Sequence, residues 1–219
     1  MKTDSLKTCP KLFVLAAFST GLSQAAVVVA DSGTTTPIIG ASDTGYTGTT
    51  ANRFGWDAGE GLTQTFTVPT EGTVQSIFMG YNAFNDGETI TLDLLVNGNL
   101  VESGLVLNGD NFSGDSSSDD NTQVFYWMEF DLSAENVSVT SGTNSFTLNA
   151  TADTGDSWAL APRYNNADPY DGGELSLDFA GLSDPSDLAF GVTVDPIPEP
   201  SSLALIVLGA CGLAGRRRR

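Results

Sequence analysis

The sequence contains no histidine, and its two cysteines, Cys9 and Cys211, lie near the chain termini. Residues 26–195 contain neither lysine nor cysteine. These absences exclude Ser-His-Asp, Cys-His, Ser-Lys and Schiff-base catalysis, because each needs a base or nucleophile that this region lacks. They also remove the usual ligands of zinc and copper. With no disulfide expected in residues 26–195, burial of apolar surface has to hold this region together.

Basic residues are scarce as well. Of the nine basic and 27 acidic residues in the chain, residues 26–195 hold two arginines, Arg53 and Arg163, and 25 acids, which is a net charge of −23. Such a surface repels nucleic acid and anionic lipid, so we exclude both as partners of this region. It attracts divalent cations, but it is equally typical of the solvated surface of a secreted protein.

Residues 26–195 have no helical apolar stripe longer than about two turns, and the dominant period is two. Apolar residues alternate with polar ones in Leu62–Val68 and in Glu88–Val96. The dipeptide Asn97-Gly98 predicts a type I′ turn, which would join Glu88–Val96 and Asn99–Leu107 in a hairpin. The other predicted strands are Ala26–Ala30, Thr73–Ala83, Gln123–Leu132, Thr143–Thr151, Ser157–Arg163, Glu174–Phe179 and Asp187–Val194.

This pattern predicts an all-β fold, a single antiparallel β-sandwich of the jelly-roll type over residues 26–195. We expect Gln123–Leu132 to be a central strand. Aromatic residues fall on both of its faces, so either both faces are covered or one of them binds a ligand. Since large aromatic side chains in sheets mostly supply buried area, we expect Trp127 to be packed.

The N-terminal segment has the organisation of a secretory signal peptide. It begins with a charged n-region that contains three lysines, and the apolar run Leu12–Phe18 follows. Ser23-Gln24-Ala25 then has small residues at the two positions that signal peptidase reads. We predict that residues 1–25 are removed by signal peptidase. The charged n-region consists of Lys2, Lys7 and Lys11.

The C-terminal end has three features in order. Pro198-Glu199-Pro200, in a predicted linker at 196–202, is expected to be extended and accessible because proline cannot donate a backbone hydrogen bond. The apolar segment 203–215 follows; as a helix its apolar run covers about 18 Å of a hydrocarbon core of about 30 Å, so it is a marginal transmembrane helix. A basic stop signal comes last and would stay cytoplasmic. It consists of Arg216, Arg217, Arg218 and Arg219.

Together these three features resemble the PEP-CTERM sorting signal of Gram-negative bacteria. The resemblance implies cleavage near Pro198-Glu199-Pro200 by an exosortase, an inner-membrane-anchored precursor, and delivery to the cell surface or extracellular matrix. It implies a destination and no activity. The alternative is an ordinary C-terminal anchor with an incidental Pro-Glu-Pro, although a stable anchor needs about 20 apolar residues.

The central region carries a second resemblance. Gln64–Val68, Thr140–Leu148, Tyr170–Glu174 and Asp187–Phe190 resemble secreted jelly-roll modules that precede such sorting tails. In plan these modules are similar to carbohydrate-binding or galactose-binding-like β-sandwiches. The similarity lies in strand patterning, so it transfers no binding residue.

Three loops, at residues 110–121, 153–156 and 165–174, concentrate the hard oxygen ligands that Ca²⁺ takes. None of them fits the EF-hand template. The first loop, with its run of serines, is more typical of a solvated acidic loop. The third is the better candidate, because Gly172-Gly173 allows a sharp turn. The candidate calcium ligands are Asp168, Asp171 and Glu174.

The same stretch is the candidate for sugar recognition. Aromatic rings pack against the apolar faces of sugars, while amides and charged groups bond their hydroxyls. The candidate ligand-binding residues are Trp158, Arg163, Tyr164, Asn165, Asn166 and Tyr170.

The predicted function is therefore that of an exported surface or extracellular-matrix protein, associated with exopolysaccharide, with a structural or adhesive role and no catalysis. One alternative is a glycan-binding, lectin-like module that depends on Ca²⁺. A glycoside hydrolase built on two carboxylates stays open too, although a pair at suitable spacing arises by chance among 25 acids. Beyond calcium, no cofactor is predicted.

Overall fold

The computed structural model describes residues 27–33, 44–46, 52–53, 55–84, 86–112, 126–154, 160–165, 170–178 and 186–197. Within them the chain forms fourteen strands and one 3₁₀ turn, Gly109–Asn111. The strands are β1 (Val28–Gly33), β2 (Thr44–Tyr46), β3 (Asn52–Arg53), β4 (Gly61–Val68), β5 (Gly72–Phe84), β6 (Thr89–Val96), β7 (Asn99–Asn108), β8 (Tyr126–Asp131), β9 (Ser138–Val139), β10 (Gly142–Asp153), β11 (Leu160–Asn165), β12 (Leu175–Leu177), β13 (Asp187–Leu188) and β14 (Phe190–Pro196).

The strands form two antiparallel sheets that pack as a sandwich, which confirms the predicted all-β fold. The smaller sheet has the order β12-β4-β10-β6-β7. In the larger sheet the thirteen-residue strand β5 is long enough to pair with two strands along each edge, β8 and β9 on one side and β11 and β14 on the other. The finer assignment to a jelly roll stays a prediction.

Burial follows the period of two read from the sequence. In β4 and β6 the side chains of Leu62, Phe66, Leu92 and Leu94 are fully buried, while the polar residues between them, Thr63, Thr65 and Asp93, are partly exposed. The two sheets meet through aromatic rings: Phe146 of β10 lies 5.9 Å from Phe190 of β14 between ring centroids. Burying each such side chain contributes about 1.5–3 kcal/mol to folding.

The predicted hairpin is present. Asn97 and Gly98 have φ angles of 51° and 73°, the two positive values that a type I′ turn requires, and they join β6 to β7. The two-to-one pairing at Leu92/Leu94 marks a bulge in β7, where Gly104 has a φ of 69° and its N–H donates to the Asp93 carboxylate. Such a bulge, at the edge of the smaller sheet, makes the edge a poorer template for another strand.

Trp127 is fully buried, as predicted, and β8 is an interior strand paired with β1 and β5. The indole lies outside the contiguous apolar core. Its cross-strand neighbours are Gly33 and Gly80, whose missing side chains leave room for a large ring on that face.

The predicted strand Asp187–Val194 is interrupted at Ala189. Its first part, β13, pairs with β11, and its second part, β14, pairs with β5. Ala189 bridges the two, because its N–H donates to the carbonyl of Arg163 and its own carbonyl accepts from Gly80. The alternation of side chains continues from β13 into β14 although the pairing strand changes. The sequence alone therefore predicted a single strand.

Among the described residues, none forms a helix with the length and apolar character that crossing a membrane requires. The signal peptide and the predicted transmembrane segment 203–215 lie outside the described residues. The same holds for the predicted basic stop signal, Arg216, Arg217, Arg218 and Arg219.

Candidate functional site

Two of the segments that resemble jelly-roll modules, Gln64–Val68 and Tyr170–Glu174, are in contact along β4 of the smaller sheet. The Thr65 N–H donates to the carbonyl of Glu174 at 3.0 Å, and the Glu174 N–H donates to Thr65 Oγ1 at 2.7 Å. The Thr67 hydroxyl donates to the carbonyl of Gly172 at 2.7 Å. Residues 170–174, which we call the ligand loop because they carry candidate calcium and sugar ligands, are therefore held against β4 by their backbone.

A buried hydrogen-bond network, which we call the polar clamp, connects Gln64, Tyr170 and Asp187. Gln64 of the smaller sheet and Asp187 of the larger sheet are both fully buried. Gln64 Nε2 donates to Asp187 Oδ1 at 3.1 Å, the Tyr170 N–H donates to Asp187 Oδ2 at 3.0 Å, and the Leu188 N–H donates to Gln64 Oε1 at 2.8 Å. Because buried polar groups are costly unless bonded, the clamp fixes the two sheets and the loop together.

Tyr170 itself is used in packing. Its ring meets that of Phe190 edge-on, with centroids 5.2 Å apart, and its hydroxyl oxygen accepts from the Thr67 N–H at 3.0 Å. A Cβ on Gly172 would lie 2.3 Å from the Tyr170 ring, and one on Gly173 would collide with the carbonyl of Thr65. Both glycines are thus required by close approach of the loop to its neighbours.

Of the other predicted sugar-binding residues, the structure describes three consecutive positions on β11. Arg163 is buried, with 4% of its surface exposed, whereas Tyr164 and Asn165 are partly exposed. In the ladder Tyr164 lies opposite Leu188 and Asn165 lies opposite Asp187. Trp158 and Asn166 lie outside the described residues. Tyr164 and Asn165 are the two candidates here that a ligand at the surface can reach.

The predicted calcium ligands are described in part. Asp171 and Glu174 are exposed, while Asp168 lies outside the described residues. Within the described ranges, no three or more Asp, Glu, His or Cys side chains are grouped so that they could hold a metal ion. The calcium site stays a prediction.

A cluster of four carboxylates lies at one end of the sandwich, formed by Asp57, Glu60, Asp153 and Asp178, of which the sequence indicated only Asp153, in the loop 153–156. Three of them cap a turn: Asp57 N–H donates to Glu60 Oε2 at 2.8 Å, Ala58 N–H to Asp153 Oδ2 at 2.6 Å, and Gly61 N–H to Asp178 Oδ1 at 2.6 Å. Asp57 and Glu60 are three residues apart, but Asp153 and Asp178 are about a hundred positions away, so tertiary pairing is needed to bring them to the turn.

Burial raises the pKa of the Glu60 carboxyl, and the negative charges of Asp57, Asp178 and Asp153 raise it further, against the hydrogen bond from the Asp57 N–H, which lowers it. The folded state therefore holds the Glu60 proton more tightly than the unfolded chain does. Stability from this group is present at acid pH and declines as the pH rises through the raised pKa.

Two grooves lie along β7. One, of about 390 Å³, lies between β1 and β7, and Val27, Glu102 and Phe112 contribute to its walls. The other, of about 300 Å³, is formed by the start of β7 and the segment that precedes β9, with Leu100 and Val137 in its walls.

At the opposite end from the carboxylate cluster, the chain leaves the sandwich. Asp195 and Pro196 of β14 pair with Thr73 and Gly72 of β5, and the Ile197 N–H donates to the carbonyl of Glu71 at 3.1 Å. Pro196, which the sequence assigned to the linker, is thus the last residue of an interior strand.

Comparison with known proteins identifies this end of the chain. Residues 196–219 match the family model of the PEP-CTERM protein-sorting motif, which confirms the sorting signal predicted from the sequence. The match extends through the basic stop signal, Arg216, Arg217, Arg218 and Arg219. No curated protein matches the chain. The matched segment begins at the last residue of β14, so the sorting motif continues directly from the sandwich.

Proposed function

We propose that this exported, exosortase-sorted chain is a structural or adhesive component of the cell surface or extracellular matrix, and that its sandwich has no catalytic role. The observation that carries the proposal is the PEP-CTERM motif at residues 196–219, joined without a spacer to β14. A domain delivered in this way is displayed outside the cell with its C-terminal strand next to the attachment point.

The position of β14 supports a mechanical role. It pairs with β5 at seven positions along one edge and with β2 along the other. The strand from which the tail leaves is therefore tied into the larger sheet on both of its edges. The net charge of −23 in residues 26–195 keeps neighbouring copies apart and the surface hydrated.

Deleting the chain is expected to weaken the matrix. Cells that lack it should lose extracellular matrix and cell-to-cell cohesion, measured as matrix mass and as resistance to shear, and the full-length chain should restore both. As a matched control, a chain with Glu199→Ala is expected to be exported but not delivered, and so to restore neither. Unchanged matrix mass and cohesion in the deletion strain would contradict the structural role.

A second candidate is Ca²⁺-dependent glycan binding, with exopolysaccharide as the partner. The observation that favours it is the partly exposed pair Tyr164 and Asn165 on β11, directly beside the docked loop that carries Asp171 and Glu174. An aromatic ring, an amide and carboxylates are the groups that hold a sugar ring and its hydroxyls.

The glycan candidate predicts saturable binding of the mature protein to cell-surface polysaccharide, stronger with millimolar Ca²⁺. If Asp168, Asp171 and Glu174 hold the ion, Ca²⁺ at a hundred times its Kd adds about 2.7 kcal/mol to the free energy of unfolding. The double variant Asp168→Ala/Asp171→Ala should abolish this rise, and Asp86→Ala, an exposed carboxylate elsewhere, should not. An equal rise with Mg²⁺ would indicate screening of the net charge instead.

A further inference from the structure

The sandwich and the sorting motif are separated by no spacer. Ile197 is still bonded to Glu71, and Pro198-Glu199-Pro200 begins at the next residue. Three extended residues span at most about 11 Å. An active site that grips these three residues therefore lies within about 11 Å of the folded domain, whereas even a 100-residue enzyme has a radius of gyration of about 13 Å.

The C-terminal strand β14 cannot readily detach from the sheet to give the enzyme more room. Phe190 and Val192 are fully buried, and Val194 has 4% of its surface exposed. Peeling β14 back from Asp195 toward Phe190 would expose these side chains and break the ladder to β5. The enzyme consequently meets a folded surface when it reaches the motif.

That surface has a distinct chemistry. In a strand, residues two apart point to the same face. Glu71 and Thr73 on β5's side, and Asp195 and Ile197 on β14's side, share the outer face of the larger sheet; Glu71, Asp195 and Ile197 are exposed and Thr73 is partly so. We call these four residues the exit patch. Ile197, with 44% of its surface exposed, is one of the large apolar side chains that the described part of the chain leaves exposed.

We propose that the exit patch is a docking surface for the membrane-embedded processing enzyme, which reads it together with Pro198-Glu199-Pro200. The fitting partner surface offers a small apolar pocket for Ile197 with lysine or arginine beside it for the Glu71 and Asp195 carboxylates. Anionic lipid headgroups would repel the same carboxylates, so the contact is with protein. The inference rests on the sorting motif and adds a second recognition element to it.

The test compares processing of full-length precursors in the native host. Asp195→Lys and Ile197→Ser are expected to lower the ratio of processed to full-length chain several-fold, measured by mass spectrometry and immunoblotting. The matched control Asp86→Lys makes the same charge change at an exposed aspartate away from the exit patch and should process normally. Equal melting temperatures establish that the variants fold. Normal processing of Asp195→Lys and Ile197→Ser would overturn the proposal.

Inserting a spacer distinguishes recognition of the exit patch from simple steric access of the enzyme to the motif. Inserting Gly-Ser-Gly-Ser after Ile197 is expected to slow processing, because the patch and the motif no longer engage the enzyme at a matched separation. Faster or unchanged processing would mean that the enzyme needs only the motif and space to reach it, which would also overturn the proposal. A different result would show that the sorting motif itself is not used: Glu199→Ala would then be processed like the wild type.

Discussion

Replacing Glu199 with Ala is expected to leave the full-length chain in the inner membrane and to lower the surface-delivered form about 10- to 100-fold. Glu199 carries the single charge of the Pro-Glu-Pro motif. A charge-assisted hydrogen bond to a processing enzyme is worth about 1.5–3 kcal/mol, and each 1.4 kcal/mol corresponds to about a tenfold change. Mass spectrometry of the surface and membrane fractions measures the effect.

Two comparisons make this prediction specific. Glu174→Ala, which removes an exposed carboxylate remote from the motif, should leave delivery unchanged. Deleting Arg216–Arg219 should weaken retention of the precursor, since the arginines are the part of the tail that resists translocation. Surface protein that still carries these arginines would instead favour the ordinary-anchor interpretation.

The second large effect concerns the polar clamp. Asp187→Ala is expected to lower the free energy of unfolding by about 2–5 kcal/mol, because it removes the acceptor of the Tyr170 N–H and one of the two acceptors of the buried Gln64 amide, which keeps the Thr65 carbonyl. For a protein of this size the melting temperature should fall by about 5–15 °C. Thermal unfolding followed by circular dichroism or calorimetry measures the change.

Asp171→Ala is the matched control, since Asp171 is exposed on the docked loop next to Tyr170. A surface change of this kind should stay within about 0.5 kcal/mol. Gln64→Ala removes one partner of the same network, so its effect and that of Asp187→Ala should not add in the double variant. Additive losses would show that Gln64 and Asp187 stabilise the fold independently.

The clamp also constrains how the ligand loop can work. Tyr170, Gly172, Gly173 and Glu174 contact β4 or the core through backbone bonds or close packing. A ligand at this loop would therefore meet a preorganised surface, and binding would cost little ordering entropy. The side chains of Asp171 and Glu174 are exposed there.

Much of the architecture follows from local patterning. Alternation in β4 and β6 places Leu62 and Leu92 inside because successive side chains in a strand point to opposite faces. Asn97-Gly98 specifies its turn through two positive φ angles, which glycine and asparagine adopt at low cost. The sorting motif was readable for a related reason, since its three features are ordered along a continuous stretch at the chain terminus.

The sequence by itself thus determined the all-β class, the hairpin and the destination of the protein, since each depends on residues adjacent in the chain. Tertiary structure decided which of the polar and aromatic candidates are buried or packed in the interior of the sandwich. Arg163 and Tyr170 looked like surface ligands, but the pairing of β11 with β13 and the docking of the loop on β4 bury the arginine and pack the tyrosine ring. Likewise, Asp153 and Asp178 come close to Glu60 only because β4, β10 and β12 are neighbours. Contacts between residues a hundred positions apart leave no periodic signal in the sequence, because their geometry is set by strand order rather than by spacing along the chain.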